Sequence, residues 1–101
     1  MRKKLNNLVK GDYVLASKWS DGDPQDAWCI GFFEEYKEEW ERYIIVDNEG
    51  KPFRANGYRR AKKISYQRGA WMLGHKEMIE QSSRSVWYWV RHSIKDYEKT
   101  K

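Results

Sequence analysis

The sequence predicts a mainly β domain, a five-stranded barrel over residues 8–64, followed by one or two helices within residues 65–101. Three observations carry this. Strand-like apolar runs alternate with turn signals roughly every 8–12 residues from Gly11 to Ile64, the rhythm of a small barrel or sandwich. The period then switches to helical spacing after Ser65. And 101 residues suffice for one compact core, to which six Trp and seven Tyr add bulk.

Residues 1–7 read as a flexible basic arm with Arg2-Lys3-Lys4. The first strand is expected from Leu8 to Ser17, with Tyr13, Leu15 and Ser17 on one face and Val14 and Ala16 on the other. The segment SDGDPQD, Ser20–Asp26, is dense in loop formers. A second strand runs from Ala27 to Phe33, and Gly31 within it marks a bulge or a bend. Glu34–Glu41 reads as a charged connection to a third strand, Arg42–Asp47. Asp47–Gly50 is a turn and Lys51–Ala55 a short fourth strand. Asn56-Gly57 signals a type I′ hairpin with positive φ at both residues, and Tyr58–Ile64 returns as the fifth strand.

Ser65 is placed to cap a helix whose apolar residues are Trp71, His75, Met78 and Ile79. Gly69 and Gly74 weaken that helix by about 1 kcal/mol each relative to Ala. After a break at Gln81-Ser82-Ser83, Ser83 or Ser85 caps a second helix with Val86, Trp89 or Val90, Ile94 and Tyr97 in one stripe.

The strand pattern GDYVLASKWSDG, AWCIGFF and YIIVDNEG resembles the Tudor branch of the SH3-like barrels. The matching positions are Val14, Ala16, Trp19, Asp21-Gly22, Trp28, Gly31 and Asp47–Gly50, about half of the chain. The resemblance implies an aromatic surface, with Trp19 and Trp28 as walls and Tyr43 as a third, of the kind that gains cation–π energy from a desolvated ammonium. Val46 stands where the family often has a caging aromatic. The whole chain also looks like small proteins that phages and prophages encode.

The functional expectation is non-enzymatic recognition of a protein or peptide through Trp19, Trp28 and Tyr43. The alternative partner is nucleic acid. Residues 1–60 carry 11 basic and 11 acidic side chains and residues 61–101 carry 9 and 4, so the net +5 arises within residues 61–101. Phe53, Arg54, Tyr58, Arg59, Arg60, Lys62 and Lys63 interleave rings with cations, as single-stranded nucleic acid binding requires. Strand alternation nevertheless sets Arg60 and Lys62 on one face and Arg59 and Lys63 on the other. A third reading is a structural subunit, a homo-oligomer formed through Trp87, Tyr88 and Trp89.

Catalysis is not expected. Cys29 has no adjacent base and reads as a small strand hydrophobe, with His75 and His92 remote in sequence. One cysteine with two histidines gives no zinc spacing, and Asp21, Asp23 and Asp26 lack the calcium-loop pattern, so neither metal nor cofactor is expected. The lone cysteine, the absence of an apolar run long enough to span a membrane and the lack of a secretory pattern point to a cytoplasmic protein.

Overall fold

The structure, a computed structural model, describes residues 7–18, 28–82 and 84–92. Its strands are β1 (Tyr13–Ser17), β2 (Trp28–Lys37), β3 (Arg42–Val46) and β4 (Arg60–Lys63). They form one antiparallel sheet in the order β3-β2-β1-β4. Three short helices follow: α1 (Tyr66–Gly74), α2 (Lys76–Glu80) and α3 (86–92).

The expected five-stranded SH3-like barrel is therefore corrected to an open four-stranded sheet with helices. The difference lies in residues 51–59. The expected fourth strand, Lys51–Ala55, contributes only an isolated bridge between Pro52 and Val46. The residues on either side of Pro52 make its bonds, the Asp47 N–H to the Lys51 carbonyl at 2.9 Å and the Phe53 N–H to the Ile45 carbonyl at 3.0 Å, and the Arg54–Gly57 turn then interrupts the pairing. The chain touches β3 once more, at Tyr43–Tyr58, and then pairs with β1 instead. No ladder joins β3 to β4 among the described residues, and the sheet stays open.

The turns differ in the same region. Gly57 has positive φ, whereas Asn56 does not, so Arg54–Gly57 is not a type I′ turn. Its N–H closes onto the Arg54 carbonyl at 3.1 Å. Gly57 is required for a second reason. An added Cβ would lie 2.8 Å from the Tyr43 carbonyl oxygen and 3.0 Å from the Arg42 Cβ. At Asp47–Gly50 the expected turn is present. The Asp47 carboxylate accepts from the N–H groups of Lys51 and Glu49, both at 2.9 Å, and those bonds hold its pKa below the usual carboxylate value.

Period-2 alternation divides the sheet into two cores. On one face Val14, Ala16, Cys29, Phe33, Tyr43, Ile45 and Ala61 pack together under Tyr58, with Leu8 and Tyr36 at the margin. On the other, Leu15, Trp28 and Ile30 meet Met72, Ile79, Val86, Trp87 and Val90 from the three helices. β2 extends four residues past Phe33, where a register shift between Phe33 and Glu35 lets it keep pairing with β3. The presumed charged connection is thus half strand, and the turn is confined to residues 38–41.

Ser65 caps α1 as expected: its hydroxyl accepts from the Arg68 N–H at 3.0 Å. The apolar stripe is different. Gly69, Met72 and Ile79 are buried, while His75 and Met78 are exposed and Trp71 is half-buried. His75 is the junction between α1 and α2, with φ −121° and ψ 28°, so the helical phase restarts there and a single 3.6-residue period does not cross it. Gly69 sits in the helix because a Cβ there would collide with the Tyr13 ring, and the close approach outweighs its poor propensity. The second cap falls on Ser85, whose hydroxyl accepts from the Trp87 N–H at 3.2 Å. Val90, rather than Trp89, completes the buried stripe with Val86 and Trp87. Ile94, Tyr97 and the residue 1–6 part of the basic arm lie outside the described residues.

Candidate functional site: an open edge of the sheet

The ladder between β2 and β3 begins at Phe32–Val46, so among the described residues Trp28–Gly31 has a strand partner only on its β1 side. In an antiparallel sheet successive residues send their backbone groups to opposite edges. Phe33 directs both of its groups toward β1, donating to the Asp12 carbonyl and accepting from the Gly11 N–H, each at 2.8 Å. By alternation, the groups of Trp28 and Ile30 point the other way. They find no backbone partner there among the described residues.

A cavity of about 400 Å³ lies along this edge. Trp28, Cys29 and Ile30 form its floor. Phe53 and Tyr58 stand on one side, Leu73 and Lys76 on the other. Phe53 and Leu73 are large apolar side chains left 46% and 48% exposed. The Lys76 ammonium sits 4.4 Å from the centroid of the Trp28 ring and also pairs with Glu80 at 2.8 Å. The Trp28 indole N–H is buried with no hydrogen-bond acceptor among the described residues.

Cys29 and Tyr58, which both line the cavity, share a side-chain hydrogen bond. Burial pushes the Cys29 thiol up to about 12, against smaller opposing effects of the Tyr58 hydrogen bond and Lys76. Burial also raises the Tyr58 phenol, and the neighbouring Cys29 adds to it. Such a thiol is not a thiolate nucleophile at neutral pH. Its folded value exceeds that of the unfolded chain, so the stability it contributes is present in full below the ordinary thiol value of 9.0 and is lost as pH climbs toward about 12. In the native protein at pH 8, Cys29 should resist iodoacetamide and react at the rate of a free thiol only after urea unfolding. Rapid alkylation without denaturant would contradict the burial.

The expected site residues are dispersed by the fold. Trp19, and with it Asp21, Asp23 and Asp26, lies outside the described residues. Trp28 is 5% exposed and belongs to the helix-covered core, whereas Tyr43 is buried in the core of the opposite face. The sheet therefore separates these two rings, and they do not wall one cage. Of the basic set, Phe53 and Arg59 are exposed, Arg54 is partly buried and Tyr58 is core. Ala61 belongs to one core while Arg60 stacks over Trp87 in the other, at 4.3 Å, so β4 divides its cations between faces as alternation requires. Lys62 and Lys63, opposite Leu15 and Val14, are exposed.

Of the aromatic triplet, Trp87 is core and Tyr88 and Trp89 are half-buried. Trp89 stacks with Trp71 at 6.3 Å and Tyr88 with His92 at 4.2 Å, which builds an aromatic file across the helices. What sequence reading missed is the cavity itself. Phe53 and Leu73 are its rims, and the signal that could have found it is the Asp47–Gly50 turn, which ends β3 opposite Phe32 and leaves residues 28–31 without a ladder on that side.

Among the described residues no group of His, Cys, Asp or Glu could hold a metal, and no helix is long and apolar enough to cross a membrane. Compared with known protein families, curated proteins and solved structures, the chain matches none.

Proposed function

We propose that this chain is a non-enzymatic recognition module that binds an extended peptide along the Trp28–Gly31 edge of β2. The observation that supports this most is the coincidence of an unladdered strand edge with an apolar cavity beside it. Backbone groups that repeat with a strand's spacing are best complemented by another strand, so main-chain hydrogen bonds supply affinity and the cavity selects a side chain. A cavity of about 400 Å³ with Phe53 and Leu73 at its rims accommodates one large aliphatic or aromatic residue of the peptide. This reading keeps peptide recognition and the participation of Trp28, but assigns Trp28 to a floor rather than to a cage.

The experiment is selection of peptides from a random display library on the purified protein, followed by anisotropy measurements on the selected sequences. Leu73→Glu, at an exposed helical position, should weaken binding at least tenfold while leaving the thermal melt unchanged. Leu73→Met should retain most of the affinity. In NMR exchange the Ile30 amide should become protected when peptide is bound. Selected peptides that ignore Leu73→Glu and leave the Ile30 amide exchanging would reject this site.

A further inference from the structure

A second concave surface lies where two turns meet. The antiparallel exchange between Tyr43 and Tyr58, 2.8 and 2.9 Å, sets the start of β3 beside the Arg54–Gly57 turn. The cavity between them, also about 400 Å³, is lined by Lys18, Trp40, Arg42, Arg54, Asn56 and Gly57. Three of these six residues, Lys18, Arg42 and Arg54, are cationic. Trp40, on the 38–41 turn, is 47% exposed, with the Lys37 ammonium 5.4 Å from its ring centroid.

Both guanidinium groups are held by backbone rather than by acids. Arg42 donates through Nη1 to the carbonyls of Trp40 at 2.8 Å and Glu41 at 3.3 Å. Arg54 donates through Nε to the Gly57 carbonyl at 3.0 Å. Neither is in an ion pair among the described residues. A guanidinium braced in this way keeps its charge and its remaining N–H groups for an external acceptor, and planar donors of this kind suit phosphate.

We propose that this groove binds one nucleotide of a single-stranded nucleic acid, with the base stacked on Trp40 and the phosphate between Arg42 and Arg54. An exposed indole beside fixed cations is the pairing that single strands use, since rings accept unstacked bases while cations follow the backbone. A duplex keeps its bases stacked away from such a ring. It would also lie across a turn whose exposed Glu38, Glu39 and Glu41 repel a broad polyanion. The site is separate from the β2 edge and shares none of its lining residues with it.

The test uses the full chain and fluorescein-labelled oligo(dT) of about ten nucleotides, within the usual site size for such modules. Anisotropy at low salt should give saturable binding that exceeds binding of a duplex of equal length. Trp40→Ala should weaken it by about fivefold or more, the loss of one stacked base, with an unchanged melting curve. Trp40→Phe should restore most of it. Arg54→Gln should reduce the slope of log affinity against log salt by about 0.7, one phosphate contact on a single strand. No binding at low salt, equal binding of duplex, or indifference to Trp40→Ala would each overturn the proposal. Peptide binding at the β2 edge should be unaffected by Trp40→Ala, so the two sites fail independently.

Discussion

Trp87→Ala is expected to destabilise the fold by about 3–5 kcal/mol, the usual cost of removing a large aromatic from a core. Trp87 joins α3 to the sheet. Its ring packs in the core formed with Leu15, Trp28 and Ile30, its Nε1 donates to the Ser17 hydroxyl of β1 at 3.0 Å, and the Arg60 guanidinium lies over its face. Ser17 is itself fully buried, so the hydrogen bond spans a dry contact 70 residues apart in sequence. Against a total stability of about 5–15 kcal/mol for a natural domain, the loss would leave little margin.

Urea unfolding followed by circular dichroism gives the number. Trp87→Phe keeps an aromatic body but loses the hydrogen bond and the volume of the larger ring, and should cost less than Trp87→Ala. A loss below about 1 kcal/mol in Trp87→Ala would mean that α3 is not docked as described. The result also bears on self-association. Because Trp87 is core, its truncation unfolds rather than dissociates, and Tyr88 is the side chain whose removal tests an oligomer through α3.

The local parts of this fold were legible. β1, the start of β2 and β3 are apolar runs bounded by turn residues, and Ser65 and Ser85 stand where helix caps belong. What could not be read depends on pairing between distant segments. Residues 51–58 make only isolated bridges to β3, and whether the chain closes a barrel depends on where Arg60–Lys63 pairs, which is with β1. The pairing of Trp28 with Tyr43 failed for a similar reason. Side-chain parity within each strand is readable, whereas the Phe33–Ile45 register, which sets Tyr43 on the face of Phe33 and opposite Trp28, is not visible until β2 and β3 are aligned. Both cavities share this character. One lies between a strand edge and the α1–α2 junction, the other between two turns, and neither has a contiguous motif.

Gly31→Ala is expected to cost about 1–3 kcal/mol, the range for overpacking, and to weaken peptide binding at the β2 edge as well. Glycine in a strand is ordinarily a liability of roughly 0.5–1 kcal/mol against alanine, so the sign of this effect is informative. No bulge occurs at Gly31: it pairs regularly with Val14, and the register shift comes later. The glycine is needed for space. A Cβ would stand 2.5 Å from Cε2 of Phe53 and 2.6 Å from the Val46 carbonyl oxygen. The Phe53 ring can swing aside, being half-exposed, but the Val46 carbonyl is backbone at the end of β3 and yields only if the strand shifts. Movement of the ring would deform one wall of the cavity, and movement of the strand would change where the β2–β3 ladder stops. Paired measurements, urea unfolding and affinity for a selected peptide, should therefore fall together in Gly31→Ala. Phe53→Ala in the same background relieves only the ring contact, so stability that stays low in the double variant assigns the remaining cost to Val46. A Gly31→Ala protein as stable as the parent would show that this contact is loose and that the open edge is not fixed by it.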